Sequence, residues 1–243
     1  MKQALLLLIL LALTAATNVA QKPVPTKAVE RSRKAANVLE LAMAKPDARI
    51  PKALLSKAVA VAVITEMKTI GFLIDSGGEG YGVVTRRLPN GKWSQAGYIH
   101  MAALQVGRPQ LHVRSFNVIL LFMNDKSAGW FLEKKGFMFD REKAPVAGPI
   151  GEIETEEKEV VPVADVFSYV FDDGRLQSVD LKNKLKNVGI NFDNNLNKAT
   201  YGVTLAEILT DSDVKKASRS PSEVAVFPDT VTRFFVLENQ AIH

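Results

Sequence analysis

Cysteine is absent from all 243 residues, which excludes disulfides, thiolate nucleophiles and cysteine-held metals. Histidine is scarce as well. His100, His112 and His243 are the only three, and none stands in an HExxH arrangement, so catalytic zinc lacks a ligand set. His112, within Leu111-His112-Val113, reads as a structural strand residue. No Gly-x-Ser-x-Gly elbow is present to activate a serine. The cluster Gly78-Glu79-Gly80-Tyr81-Gly82 is not Gly-x-Gly-x-x-Gly and opens a strand rather than a helix. Gly91-Lys92 lacks both the upstream glycine and the following Ser/Thr of a phosphate-binding loop. The run beginning at Asp193 has Lys198 and Thr204 where a calcium loop needs Gly and Glu. No catalytic residue, metal or cofactor is expected.

Long apolar runs are equally few. Beyond residue 20 none reaches the ~18 residues of a membrane helix; the best stretch, 58–74, is interrupted by Glu66 and Lys68. The pronounced run, residues 4–13, lies between Met1-Lys2 and the small residues Thr14, Ala15, Ala16 and Thr17. A positive start, short apolar core and small-residue end form the pattern of a signal peptide over residues 1–20, cleaved after Ala16 or Ala20. The expectation is an exported protein, periplasmic or extracellular, without a lipidated cysteine.

What is present is a globular composition: 47% hydrophobic and 23% charged residues exclude a disordered chain. The length suits one large domain or a domain with an appendage. Formal net charge is +5, and its distribution is uneven. Residues 21–115 hold 15 Lys/Arg against 6 Asp/Glu, whereas 151–165 hold six acids against Lys158 alone. A cationic front half favours anionic partners, each basic residue near an anionic membrane contributing ~1 kcal/mol. Nucleic acid is not expected, because no base-stacking aromatic motif accompanies the charge.

Residues 21–27, with Pro23 and Pro25, read as an extended spacer. Val29, Ala36, Leu39 and Met43 then recur at helical spacing, with Arg31, Arg33 and Lys34 on other faces. This predicts an amphipathic helix capped by Thr26, with Glu30 in its first turn, ending near Lys45-Pro46. A second short helix is expected over 52–57, behind Pro51. Residues 60–64 and 70–74 read as two buried strands and 76–82 as a glycine-rich turn leading to a strand over 83–88. Pro89-Asn90-Gly91 signals a hairpin returning at Trp93. Residues 116–123 form a central strand and 127–134 a short helix stopped by Gly136. Residues 167–171 and 176–181 form a hairpin, and 193–200 and 205–209 short helices. Thr204 and Glu207 stand at capping-box spacing in front of the second. A closing helix is expected around 229–239, and 151–160 as a surface loop or edge. The fold class is α+β: a mostly antiparallel β-sheet, sandwich or barrel-like, with an N-terminal amphipathic helix and short flanking helices.

Several segments, in order, resemble the SYLF-domain family: Ile50-Pro51-Lys52-Ala53-Leu54-Leu55, the small-residue strand from residue 58 to 64, and Gly71-Phe72. The others are Gly82-Val83-Val84-Thr85-Arg86-Arg87-Leu88-Pro89-Asn90-Gly91-Lys92-Trp93-Ser94, Ala147-Gly148-Pro149-Ile150-Gly151, and Asn197-Lys198-Ala199-Thr200-Tyr201-Gly202 with Glu207-Ile208-Leu209. The resemblance covers about 28–210, leaving 211–243 as a C-terminal extension expected to hold a packed helix. It implies a non-enzymatic lipid-binding module, whose eukaryotic relatives bind phosphoinositide membranes and regulate cortical actin. It also implies membrane contact through a basic N-terminal region, here Arg31, Arg33, Lys34, Lys52 and Lys57. The chain departs from the family pattern after Tyr169, where Asp172 and Asp173 replace a Ser-Arg-Ser and glycine-rich run.

Arg86 and Arg87 adjoin the cluster Gly77, Gly78, Gly80 and Gly82 and extend the expected headgroup-facing patch, although strand neighbours point to opposite faces, so one of the two takes part. The expected function is binding of anionic phospholipid of phosphoinositide type through this patch. The alternatives are an envelope scaffold binding another protein, with residues 151–160 as its acidic surface, and a carrier of a small hydrophobic ligand.

Overall fold

A helix, α1 (Thr26–Met43), begins the described chain and lays Ala28, Ser32, Ala35, Leu39 and Ala42 against a β-sheet. The structure, a computed structural model, describes residues 23–72, 75–105, 114–133, 135–140, 143–151, 164–181, 185–210 and 222–235. Thr26 is the first helical residue rather than the cap. Pro25 takes the cap position without a side-chain hydrogen bond, its carbonyl accepting from the Ala28 amide at 2.9 Å, and no acid stands in the first turn. The helix stops at Met43 because Lys45, preceding Pro46, is held extended. A 3₁₀ turn and α2 (Lys52–Lys57) lead into the sheet.

The first strand, β1 (Ala60–Phe72), is one long strand where two were expected. It pairs antiparallel with β2 (Asp75–Arg86), which continues to β3 (Gly97–Gln105), and on its other side with β4 (Arg114–Phe122). Asp125–Ala128 forms α3, capped by the Asn124 side chain, and a 3₁₀ turn over Gly129–Leu132 follows; both end before the expected stop at Gly136. Then come β5 (Gly136–Met138), β6 (Val146–Ala147), β7 (Val166–Asp172), β8 (Arg175–Ser178) and β9 (Leu185–Phe192). The order is β5-β9-β3-β2-β1-β4-β7-β6, with β8 paired to β7; among the described strands only β6 and β7 run parallel. The expected α+β class is what the structure shows, as a single curled nine-stranded sheet. The 167–171/176–181 hairpin is present as β7 and β8, whereas β5, β6 and β9 were not anticipated.

Both sheet faces are buried, so β1 and β4 read as continuous apolar runs. Val61, Val63, Ile119, Leu121, Tyr98 and Tyr169 join α1 in one core. Ala62, Ile64, Leu120, Phe122 and Ile99 face the other way, onto Trp130, Phe131 and Phe137. The first core is closed by α4 (Asn194–Tyr201) and by α6 (Val226–Phe234); α6 starts and ends earlier than the expected 229–239. The second is closed by α5 (Leu205–Thr210). Gly202, at φ +81°, ends α4 in the left-handed conformation. The capping box forms: the Thr204 amide donates to Glu207 Oε2 at 2.8 Å, which holds the Glu207 carboxyl below its usual range.

The glycine cluster is strand, not turn. Gly78, Gly80 and Gly82 lie within β2, and a Cβ at Gly82 would stand 2.3 Å from the Val63 carbonyl oxygen. Absence of a side chain lets β2 close on β1. The sequence segments 1–22, 106–113, 152–163, 211–221 and 236–243 lie outside the described residues, and with them the expected signal peptide, His112 and nearly all of the acidic stretch.

Gly82→Ala is expected to lower unfolding free energy by about 1–3 kcal/mol through backbone displacement, read by urea denaturation. An unchanged midpoint would show that the seam tolerates a methyl group.

Candidate functional site

At Glu66 the sheet departs from regularity. Thr65 pairs with Tyr81, yet Lys68 pairs with Glu79, and on the other side Ile64 pairs with Val118 but Met67 with Phe116. One extra residue is inserted in β1 against both neighbours, a β-bulge. Glu66 takes φ +52°, rare for a side-chain-bearing residue. Its amide donates to Asn117 Oδ1 at 3.0 Å, and Asn117 Nδ2 donates to the Phe171 carbonyl, which ties the bulge to β4 and β7.

Between this bulge and α1 lies an open cleft of about 860 Å³. Its helical wall carries Lys27, Glu30, Arg31 and Lys34, which fall on one face at spacings of three and four. Its sheet wall carries Glu66, Lys68, Glu79 and Tyr81. Lys34 Nζ lies 2.9 Å from both Glu66 carboxylate oxygens, both side chains being about half exposed. Arg31 is held far more firmly. Its Nη1 meets Asp193 Oδ2 at 2.7 Å while the guanidinium lies 4.3 Å over the Tyr81 ring. Tyr81 stacks on its cross-strand partner His100 at 5.0 Å between centroids. His100 Nε2 lies 3.0 Å from Glu79 Oε1, without hydrogen-bond alignment. The Glu79 carboxylate raises the Tyr81 hydroxyl's pKa, so Tyr81 stays neutral. On the buried side of α1, next to Arg31 in the chain, Ser32 Oγ and the Tyr98 hydroxyl lie 3.2 Å apart. Burial pushes the Tyr98 hydroxyl up to about 12.

The expected site residues divide. Arg31 and Lys34 line the cleft; Arg33 is exposed on the outer surface of α1. Lys52 and Lys57 lie on α2, with Lys52 exposed. Arg86 pairs with Asp125 of α3 at 2.9 Å, on the sheet face opposite α1. Arg87 is internal. Its Nε donates to the Ala58 carbonyl, and its Nη2 to those of Ser56 and Phe235 at 3.3 and 3.0 Å, while Trp93 covers it at 4.6 Å. Burial lowers the Arg87 pKa from its ordinary value. Along β2, Arg86 is five residues from Tyr81, about 16 Å. Arg86 and Arg87 therefore do not join Arg31 and Lys34 in one patch. Gly78 lines the cleft; Gly80 and Gly82 serve the β1–β2 seam, and Gly77 pairs with Ile70 of β1 and Leu104 of β3. Lys27 and Lys68 are cleft residues that the sequence reading left out; Lys27 shares the 27, 31, 34 spacing, whereas Lys68 faces the cleft because of the bulge.

Among the described residues no three His, Cys, Asp or Glu side chains group as a metal site would need. Nor is any described helix long and apolar enough to cross a membrane. Helices on both sheet faces, and a cleft of paired and unpaired charges between α1 and the sheet, define a binding scaffold.

A family model described as "Ysc84: Las17-binding protein actin regulator" matches residues 103–233, more than half of the chain. The chain belongs to this family, the SYLF family of the sequence resemblance. It is 24% identical over 230 residues to "SH3 domain-containing YSC84-like protein 1" of Xenopus laevis, covering 91% of this chain and 66% of that protein. The human protein of the same name is 27% identical over 165 residues, 66% of this chain and 47% of its own length. "Protein YSC84" of Saccharomyces cerevisiae is 31% identical over 135 residues, 53% of this chain and 28% of its own. The chain thus spans about half to two thirds of the vertebrate relatives' length. No solved structure matches it. The family match begins in β3, so the cleft's helical wall, β1 and β2 lie before it.

Arg87→Ala is expected to cost about 2 kcal/mol of stability by orphaning three carbonyls, and Arg87→Lys to fail to restore it, because an ammonium lacks the planar fork. Thermal and urea unfolding check this; a Lys variant of full stability would refute the role given to the guanidinium.

Proposed function

We propose that this chain is a non-enzymatic binding module that meets anionic phospholipid headgroups through the outer surface of α1 and the adjoining cleft rim. The observation that carries the reading is the placement of Lys27, Arg33 and Lys68. All three are exposed, and among the described residues none has an ion-pair partner, while Arg86 and Arg87 are engaged internally. Lys27 and Lys68 lie on opposite walls, an arrangement suited to a compact anion, and the Tyr81 ring is already engaged by Arg31 and His100. The resemblance to lipid-binding relatives supports the same reading. A protein partner is the second reading, favoured by the family's description as Las17-binding and actin-regulating. The exported address belongs to the proposal too, resting on residues 1–20.

Two experiments test this. In co-sedimentation, the protein should pellet with phosphatidylcholine vesicles doped with phosphatidylserine or a phosphoinositide and not with phosphatidylcholine alone, losing capture at high salt. Replacing Lys27, Arg33 and Lys68 together by Gln should weaken capture on the order of tenfold or more. Equal pelleting with neutral vesicles would reject the electrostatic mechanism, and pelleting with actin filaments but not vesicles would favour the protein partner. For the address, mass spectrometry of the exported protein should find a chain beginning at Thr17 or Gln21; retention of residues 1–20 would remove that part of the proposal.

A further inference from the structure

The pair Lys34–Glu66 is built unlike an incidental surface contact. A carboxylate is placed at the one β1 position where the backbone is left-handed, φ +52°, where glycine would be unstrained. The Glu66 amide is fixed on Asn117, so the residue is locked, and its carboxylate reaches across the cleft to Lys34 with both oxygens at 2.9 Å. The pair is solvent-screened, with side chains 50% and 56% exposed, hence weak and exchangeable. Arg31 differs: with 15% of its side chain exposed and Asp193 and Tyr81 against it, it is not free to exchange.

We propose that Glu66 is an internal counter-anion. It occupies Lys34 in the free protein, and an incoming phosphate group displaces it, so that Lys34 joins Lys27 and Lys68 around the bound anion. This rests on the anionic-surface reading above and adds a regulatory element to it: the cleft is held partly self-neutralised until a stronger anion enters. The shared chemistry is a phosphate, borne by a lipid headgroup or by a soluble ligand. Retaining the backbone while removing the charge isolates the effect, which Glu66→Gln does.

The experiment compares wild type, Glu66→Gln, the double variant Glu66→Gln/Lys34→Gln, and Glu133→Gln, an exposed residue beyond the opposite sheet face that makes the same change in net charge. Each is titrated with phosphatidylserine-doped vesicles and, separately, with inorganic phosphate followed by NMR. The expected result is a two- to fivefold gain in affinity for Glu66→Gln, abolished in the double variant and absent in Glu133→Gln. A gain with vesicles alone assigns the anion to a headgroup, and one with inorganic phosphate alone to a soluble ligand. If wild type binds vesicles and Glu66→Gln binds no tighter than Glu133→Gln, the counter-anion role is overturned while the membrane reading stands. If neither protein binds vesicles or phosphate, both readings fall. Binding by Glu66→Gln where wild type shows none in the range titrated also supports the counter-anion role.

Discussion

One extra residue in β1 governs the rest of the molecule. Alternation in a strand has period two, so a strand crossing two buried cores must keep its apolar side chains in phase. The insertion at Glu66 resets that phase. Ile64 and Met67, three apart, both enter the core under Trp130 and Phe131, and the polar residues between them turn toward α1. Without the insertion Met67 would face the helix and Lys68 the apolar core. The same bulge increases local twist, and it is where helix and sheet diverge into the cleft.

That divergence needs α1 to be pinned on either side of it. On the buried side the Tyr98 strand does this: its backbone amide donates to Asn197 Oδ1 at 2.8 Å, its carbonyl accepts from Asn197 Nδ2 at 3.1 Å, and its hydroxyl meets Ser32. Nearer solvent, Arg31 joins α1 to Asp193, whose other oxygen caps α4 by accepting from the Leu196 amide at 3.1 Å. One carboxylate thus serves a helix start and an ion pair, coupling α1, α4 and the Tyr81–His100 stack. The fixed part of the cleft is polar and tied by an ion pair and ring contacts, with His100 Nε2 left without a hydrogen bond. Its exchangeable part is confined to Lys27, Lys34, Lys68 and Glu66.

Much of this was legible in the sequence, and the failures have physical causes. Helical spacing from Val29 to Met43 located α1, Pro51 located α2, and the spacing of Thr204 and Glu207 located the α5 cap, because each is a local signal. Arg86 and Arg87 diverge as strand neighbours do, but neither joins the patch that one of them is expected to extend, because Arg86 pairs with Asp125 and Arg87 with backbone carbonyls. That Arg87 is occupied by Phe235, 148 residues later, is a non-local fact with no sequence signature. Glycine marks both turns and close backbone approach, so the run around Gly80 carries a turn signal although it serves a seam. The strand β9 lacks a clear sequence signal because Asn187 and Gly189 break its alternation; Asn187, at φ +49°, is itself irregular, and the β3 pairing shifts register beside it.

The division of labour between the two basic residue types follows from their chemistry. A guanidinium offers a rigid planar fork that stacks on rings and satisfies several carbonyls at once, and it is weakly hydrated, so enclosing it is tolerable. Arg31 over Tyr81 and Arg87 over Trp93 use both properties, and Arg86 and Arg233 are likewise paired, with Asp125 and Glu40. An ammonium is a strongly hydrated point charge on a mobile stem, better suited to contacts that form and dissolve. Lys27, Lys52 and Lys68 remain exposed, and Lys34 holds only a half-exposed partner. Count of positive charge along the front half therefore overstates the cationic surface. Among the described residues, arginine there is largely engaged in holding helices to the sheet, and the surface open to an anion is set mainly by lysine, with Arg33 as the exposed exception.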